Sequence, residues 1–273
     1  MRIRRPLLAP ITLVLMGAAT PPEQVSFVAC PVAQDTGPLT DLCFFAEHGG
    51  KRYSLNVPAD WGAPQLGHRV LVEGEVTAAP PRCGGLVLEG RISVLSDVAP
   101  ECNRIAPFNG VADGPAPTAA AEARARRIAE LVQASLRDPA RSLDAVLLVT
   151  TPLPTVKLGQ VETLYLPFNS LRYTGPDAER LVALARLVAA SRDVVVSIRA
   201  SSGNALLADG LVLTEADDMA ERRARKTSDT LAGLGVPRDR IKVSTATPRS
   251  RPTGKRDWQQ RRVEVLVEQI PAP

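Results

Sequence analysis

All four cysteines of the chain lie between residues 30 and 102, and the second half contains none. The spacing of Cys30, Cys43, Cys83 and Cys102 lacks the close pairs of a typical zinc site. In an exported chain such cysteines form disulfides, so we expect two bridges, with buried free thiols as the alternative. Three connectivities exist, and we favour Cys30–Cys43 with Cys83–Cys102 because each bridge closes a short loop. The sequence therefore divides into a cross-linked first part and a cysteine-free second part.

The N-terminal segment has the layout of a secretory signal peptide. It has a basic start at Arg2, Arg4 and Arg5, an apolar run over residues 7–16, and small residues that end at Ala19. We predict a cleaved signal over residues 1–19. A membrane anchor is the alternative, but the run is shorter than the roughly 20 residues that a membrane span needs.

The net charge argues against nucleic acid as a partner. The chain has 33 basic and 29 acidic residues, a formal charge of +4. Removal of the three signal arginines leaves 30 against 29, a charge of +1. A nucleic-acid binder would carry a larger positive excess.

Residues 24–105 contain five short runs rich in β-branched and aromatic residues. These runs are QVSFVAC, DLCFFAE, KRYSLNV, HRVLVEGEV and GGLVLEGRISVL. Five strands with a glycine-containing long strand resemble a small OB-like barrel, although any small barrel or sandwich would give a similar pattern. We therefore predict a disulfide-stapled, all-β, OB-like domain over residues 24–105.

A linker and a helix follow over residues 106–143. The stretch APFNGVADGPAP is rich in proline, glycine and alanine, and AAAEARARRIAELVQASL consists of strong helix formers that Thr118 can cap. The next apolar segment predicts one strand at 144–150.

From about Glu162 the sequence alternates strands and helices in the order β-α-β-α-β-β. Pro176 opens the first helix, and Thr214-Glu215-Ala216-Asp217 resembles a capping box for the second, which Gly235 ends. A strand begins at Ile241, and the last strand, RRVEVLVEQ, alternates valines with polar residues. The expected fold is an α+β two-domain protein whose second domain, residues 144–273, has helices on one face of a mixed sheet.

Three segments of this second half are similar to the OmpA-like C-terminal domain, the family of peptidoglycan-associated lipoprotein and MotB. They are LPFNSLRYTGPDAERLVALARLV, MAERRARKTSDTLAGLGVPRDRI and RPTGKRDWQQRRVEV, in that order. The resemblance implies noncovalent binding of the peptidoglycan peptide stem, whose diaminopimelate exposes an ammonium and a carboxylate. An aspartate after the second strand takes the ammonium in that family, and an arginine in the next helix takes the carboxylate.

Arg223 matches the family's arginine, but the acidic half of the clamp is missing. The turn after the second strand is Ala200-Ser201-Ser202-Gly203, with Gly203 at the position of the aspartate. The resemblance therefore implies Arg223, Ser201, Ser202 and Gly203 as the ligand-binding residues of a weakened or altered site, because a hydrogen bond to a charged group contributes roughly 1.5–3 kcal/mol. The hydroxyls of the two serines are then candidates to bind an uncharged amide form of the stem.

The interval between the turn and Arg223 contains an insertion, NALLADGLVLTEADD. Its acids Asp209, Asp217 and Asp218 are candidates to replace the missing aspartate. A further possibility is that the domain is a structural derivative that binds something else.

The sequence gives little support to catalysis, metal binding or a cofactor. His48 and His68 are the two histidines, and both fall in the predicted β domain at positions that favour surface or structural roles. No nucleophile elbow, metal-binding helix motif or phosphate loop is present.

We therefore expect a non-catalytic protein of the cell envelope, located in the periplasm or attached peripherally to the outer membrane. The alternative is a periplasmic interaction module in which the β domain binds a protein or glycan and the OmpA-like domain is only a scaffold. That alternative predicts an exposed aromatic patch, with Phe44, Phe45, Tyr53 and Trp61 as candidates.

Overall fold

A computed structural model describes residues 22–35, 43–55, 65–107, 126, 153–191, 193–246 and 251–270. The predicted signal peptide, nearly all of the predicted linker and helix, and the predicted strand at 144–150 lie outside the described residues. Within the described part, no helix combines the length and the apolar character that a membrane crossing requires.

In the described part of the first half, seven strands form two sheets, which we call the β unit together with their connections (residues 22–107). The strands are β1 (Gln24–Ala29), β2 (Val32–Gln34), β3 (Cys43–His48), β4 (Lys51–Ser54), β5 (His68–Val76), β6 (Leu88–Val98) and β7 (Arg104–Ala106). One sheet has the order β1-β5-β6 and the other β4-β3-β2-β7. The predicted OB-like barrel is not confirmed, because the described strands form two sheets and no closed barrel.

The first sheet has two buried faces, and strand alternation separates them. Val25, Phe27, Val70 and Val72 point into the core of the β unit, where they pack with Tyr53. The alternate residues of β1, β5 and β6 therefore point to the opposite face. That opposite face contacts the second half of the chain.

All four cysteines are paired, as predicted, but the favoured connectivity is wrong. The bridges are Cys30–Cys102 and Cys43–Cys83, with Cα–Cα distances of 4.8 and 5.5 Å. Cys30 lies two residues before β2 and Cys102 lies two residues before β7, and these two strands pair in parallel. Long-range strand pairing, rather than a short loop, therefore brings Cys30 and Cys102 together.

The second half, which we call the α/β unit (residues 153–270), is built on a four-stranded mixed sheet of order β12-β9-β13-β8. Its strands are β8 (Val161–Tyr165), β9 (Val194–Ala200), β12 (Ile241–Thr245) and β13 (Arg262–Gln269), and its helices are α1 (Gly175–Ala190) and α2 (Met219–Gly233). Strands β12 and β9 are parallel, whereas β13 is antiparallel to both of its neighbours.

One apolar cluster joins both helices to one face of this sheet. Leu184 of α1 and Leu231 of α2 pack with Ile198 and with the alternating valines Val263 and Val265 of the last strand. The predicted alternation of the last strand and the predicted placement of both helices on one sheet face are confirmed.

Helix α1 begins as predicted, but α2 does not. The Thr174 hydroxyl accepts a hydrogen bond from the Asp177 amide at the start of α1. The predicted capping box at residues 214–217 is wrong, because α2 begins at Met219 and has no side-chain cap. Helix α2 ends at Gly233, and Gly235 takes the left-handed conformation (φ +97°) that a helix stop favours.

The predicted insertion forms a short hairpin, β10 (Ala205–Leu206) with β11 (Val212–Leu213), that packs against the β unit. Leu207 of the hairpin joins Leu71 and Phe168 in a third apolar cluster. The Ala208 amide donates to the Ser26 carbonyl at 2.8 Å, so the hairpin is also hydrogen bonded to β1. The insertion is therefore part of the contact between the two halves of the molecule.

Candidate functional site

The turn after β9 is packed tightly against the segment before β13. The Ser201 hydroxyl donates to the Gln260 carbonyl at 2.5 Å, and Ser202 is buried. A Cβ atom at Gly203 would lie 2.6 Å from the Cβ of Gln260, closer than side chains allow. The acid that the resemblance expects at this position therefore has no room in this backbone.

Arg223 lies on α2 and is completely buried, with 0% of its surface exposed. Its Nε donates to the Ser170 carbonyl at 3.3 Å, and Nη1 and Nη2 donate to the carbonyls of Ser201 and Pro167 at 3.1 and 3.0 Å. The two remaining N–H groups donate to Glu215, from Nη1 to Oε2 at 2.9 Å and from Nη2 to Oε1 at 2.5 Å. All five guanidinium donors are thus used inside the protein.

Glu215 is buried as well and accepts hydrogen bonds from two backbone amides in addition to those from Arg223. Besides the two from Arg223, Oε2 accepts from the Gly203 amide at 2.9 Å and Oε1 from the Asn169 amide at 2.8 Å. The Asn169 side chain accepts in return from the Ala216 amide at 2.9 Å. Glu215 therefore connects the turn after β9, the segment after β8 and the start of α2.

The electrostatics of this pair follow from its burial. Removal from water lowers the pKa of Arg223, and its hydrogen bonds to Glu215 oppose that shift. Loss of one member of a buried, hydrogen-bonded ion pair typically costs about 3–5 kcal/mol, because the other charge remains without compensation. The bidentate geometry is the one that an arginine offers to a carboxylate ligand, and here a carboxylate of the same chain fills it.

Sequence reasoning did not identify Glu215 as the partner of Arg223. We interpreted Glu215 as part of a capping box and considered Asp209, Asp217 and Asp218 as replacement acids. These three side chains are exposed, whereas Glu215 is 2% exposed. The sequence signal that could have identified Glu215 as this partner was the position of a glutamate next to the apolar residues of the insertion.

A second buried ion pair lies at the contact between the two units. Arg261, which precedes β13, donates from Nη2 to Oε2 of Glu73 on β5, and both side chains are almost fully buried. Arg261 Nε and Nη1 have no hydrogen-bond partner among the described residues, and neither has Glu73 Oε1. Burial raises the pKa of Glu73, although the charge of Arg261 opposes that shift.

The β unit covers the end of the α/β sheet at which the predicted ligand residues lie. The Phe168 amide donates to the Ser93 hydroxyl at 2.8 Å, and Arg256 pairs with Glu75 at 2.5 Å. Burial lowers the pKa of Arg91 to about 10, and its guanidinium lies 5.6 Å from the centre of the Trp258 ring. The structure therefore brings Arg223 and the turn at 201–203 together, but it places them inside the molecule.

The remaining predicted residues lie in the β unit. Phe44, Phe45 and Tyr53 are buried, so these three do not form the exposed aromatic patch that the interaction-module alternative predicts, and Trp61 lies outside the described residues. The His48 ring stacks on Phe27 with centroids 4.4 Å apart.

His68 Nδ1 lies 3.0 Å from the Leu95 carbonyl, which agrees with the structural role expected for this histidine. In the described part of the chain, no three His, Cys, Asp or Glu side chains are grouped closely enough to hold a metal ion.

Comparisons with known proteins give matches among solved structures alone. Neither a scan against protein-family models nor a search of curated proteins finds a match. Among solved structures, the periplasmic domain of Helicobacter pylori MotB is similar at 15% identity, covering 44% of this chain and 88% of that one, with a TM-score of 0.31. The peptidoglycan-associated lipoprotein of Burkholderia pseudomallei is similar at 16% identity, covering 38% and 88%, with a TM-score of 0.31.

The OmpA-like domain of FopA1 from Francisella tularensis is similar at 15% identity, covering 41% of this chain and 73% of that one, with a TM-score of 0.28. Such TM-scores carry no argument about ligand or activity. The resemblance of the second half to an OmpA-like domain, predicted from its motifs, is confirmed as a likeness of fold.

Proposed function

We propose that this chain is a non-catalytic protein of the cell envelope, exported to the periplasm, that associates with peptidoglycan in an altered manner. The signal-peptide layout of residues 1–19 and the two disulfides support an oxidising compartment outside the cytoplasm. The family motifs around Arg223 and the terminal RRVEV support the class of ligand.

The bidentate ion pair between Glu215 and Arg223 is the observation that supports an altered mode of peptidoglycan binding. A stem-peptide carboxylate can reach this guanidinium only by displacing Glu215. The other predicted ligand contacts are Gly203, Ser201 and Ser202. The Gly203 amide already donates a hydrogen bond to Glu215, so a ligand that binds this amide would also have to displace Glu215. The association should accordingly be weak.

One observation favours a second candidate function, the periplasmic interaction module with the α/β unit as scaffold. The β unit covers the sheet end that carries the predicted ligand residues, through contacts such as the Phe168–Ser93 hydrogen bond. In this candidate the β unit, and not Arg223, binds the partner.

As part of this second proposal, the β unit is an OB-like fold. The pairing of neighbouring strands supports this assignment. Strands β1 and β2 are separated by two residues and pair with β5 and β3, and an isolated parallel bridge, Tyr53 to Leu86, links β4 to the segment before β6. A partly open five-stranded Greek-key barrel would have such neighbours.

Co-sedimentation of the full mature chain with cell-wall sacculi at low salt tests both candidates. We expect a small bound fraction for the wild type. Glu215→Gln should raise this fraction, because a neutral side chain leaves the Arg223 charge for the ligand, and Arg223→Ala should lower it. Glu221→Gln, at an exposed acid in the first turn of α2, is the control.

The outcomes separate the candidates when each variant is first shown to be folded by circular dichroism. A wild type that stays wholly in the supernatant contradicts peptidoglycan association. Equal binding by the wild type, Glu215→Gln and Arg223→Ala would favour the interaction module, because the ligand would then not contact the buried pair.

A further inference from the structure

A cleft of about 650 Å³ lies between the β unit and the inserted hairpin. Strand β1, the end of β6 and the turn after it form one wall, and the hairpin at residues 207–213 forms the other. Its volume falls within the roughly 300–1,000 Å³ of sites that hold small molecules or short peptides. The cleft does not include Arg223, Glu215 or the turn at 201–203.

The walls of the cleft leave aliphatic side chains open to solvent. Val98 at the end of β6 is 74% exposed, and Leu211 in the hairpin is 56% exposed. Leu95 and Leu207 extend this apolar surface into the third apolar cluster. Opposed aliphatic surfaces of this kind suit a ligand with small apolar side chains.

The charges that line the cleft are predominantly negative. Arg69 and Glu101 form an ion pair at 2.7 Å and so neutralise each other. Asp97 and Asp209 also line the cleft, and in the described part of the chain no lysine or arginine pairs with either carboxylate. The cleft therefore complements a cation.

A buried hydroxyl adds a polar group to the floor of the cleft. Ser26 is 6% exposed, and its Oγ has no hydrogen-bond partner among the described residues. Because Val25 and Phe27 point into the core of the β unit, alternation along β1 directs Ser26 and Val28 towards the cleft side. A buried hydroxyl in this position suits a ligand that brings its own hydrogen-bonding groups, as a peptide does.

We propose that this cleft binds a short peptide segment that carries an ammonium group and small aliphatic side chains. The ammonium lies between Asp97 and Asp209, and the aliphatic groups pack on Val98 and Leu211. The peptide backbone supplies a hydrogen bond to Ser26. This site is independent of the Arg223 pair and does not require that the protein binds peptidoglycan.

Titration of the ¹⁵N-labelled full mature chain with acetyl-alanyl-lysyl-alanine amide, followed by NMR, tests the proposal. We expect saturable shift changes at the cleft residues. The norleucine analogue of the same peptide, which lacks the ammonium, should bind more weakly. Asp209→Asn and Asp97→Asn should each weaken binding by about two- to fivefold, the range expected for an exposed charge pair.

The variants separate a charge effect from a folding effect. Asp209 Oδ1 accepts from the Leu211 amide, and asparagine keeps that acceptor, so the hairpin turn is preserved in Asp209→Asn. Leu211→Lys introduces a cation into the cleft and should abolish binding. Asp239→Asn, at an exposed acid outside the cleft, is the control.

Three results would overturn the proposal. They are the absence of saturable shifts at millimolar peptide, equal affinity for the lysine and norleucine peptides, and an Asp239→Asn effect as large as that of Asp209→Asn.

Discussion

Arg223 and Arg261 are both fully buried and each faces a buried glutamate, but only the first pair is fully hydrogen bonded. Arg223 meets Glu215 eight positions away and uses all of its donors. Arg261 meets Glu73 at a separation of 188 residues, and two of its nitrogens have no hydrogen-bond partner among the described residues. The first pair is complete within the α/β unit. The second pair joins the two units, and its incomplete hydrogen bonding reduces the stability that this contact can contribute.

The two pairs therefore have different roles: the Arg223–Glu215 pair closes the predicted ligand site, whereas the Arg261–Glu73 pair lies at the contact between the two halves. Because Glu215 already binds the Arg223 guanidinium, the interior of the α/β unit needs no carboxylate from a ligand to balance that charge. The incomplete pair gains little stability by itself, because desolvation of two charges can exceed their attraction. Apolar contacts such as Leu71 with Phe168 and Leu207 therefore supply much of the interface stability.

The largest expected effect is that of Glu215→Ala. This change leaves the Arg223 charge buried without its partner, and we expect the free energy of unfolding to fall by about 3–5 kcal/mol. Acetate should restore part of that loss, because the variant leaves a carboxylate-sized space in front of the guanidinium. Urea unfolding with and without acetate measures both effects.

Glu221→Ala is the matched control for that experiment, since Glu221 is an exposed acid near the same helix start. Its free energy of unfolding should change by less than about 0.5 kcal/mol. If Glu215→Ala were no more destabilising than Glu221→Ala, the central role of the first pair would be refuted.

A smaller effect is expected for Arg261→Met. The remaining Glu73 carboxyl can take up a proton, whereas a buried guanidinium cannot lose one readily. We therefore expect a loss of about 1–3 kcal/mol in urea unfolding, the cost of a buried polar group without its partner. The partly exposed neighbour Arg262, changed to Met, serves as the control.

A loss for Arg261→Met that equals or exceeds the loss for Glu215→Ala would reverse the comparison between the two pairs.

The smallest effect concerns pH. Burial raises the pKa of Glu73 above 4.5, so the folded state binds this proton more readily than the unfolded state. The stability from this group is complete below pH 4.5 and is lost as the pH rises through the folded-state pKa. We therefore expect the wild type to lose stability relative to Glu73→Gln as the pH rises from about 4.5 towards neutrality.

Urea midpoints at a series of pH values measure this difference. Glu89→Gln, at an exposed glutamate on the neighbouring strand β6, should show no such trend. A wild type that gains stability relative to Glu73→Gln over this range would show that Arg261 lowers the pKa of Glu73 instead.

The local pattern of the sequence predicted much of the α/β unit. The alternation of Val263 and Val265, the proline at the start of α1 and the glycine after α2 each act within a few residues, so short windows reveal them. The same local patterns also predicted the order of the strands and helices, and the motifs then pointed to an OmpA-like domain. Element type and position were therefore predictable where the determinants are close in sequence.

What the sequence did not predict depends on residues that are distant along the chain. The bridge between Cys30 and Cys102 follows from the pairing of β2 with β7. The burial of Arg223 follows from its contacts with Glu215 of the insertion and with backbone carbonyls of the segment after β8 and the turn after β9. Glu215 matched a local capping pattern, but the hydrogen bonds to Asn169 and Gly203 hold it in the interior instead. Tertiary contacts thus overrode a helix signal that was reasonable by itself.

The missing space beside Gly203 has a consequence for how this protein could change over generations. An aspartate there would press its Cβ against that of Gln260, and its carboxylate would approach Glu215, whose Oε2 accepts from the Gly203 amide. A single codon change at position 203 would therefore meet both a steric and an electrostatic barrier. An acidic residue at position 203 would therefore require coordinated substitutions at three sites, namely 203, 215 and 260.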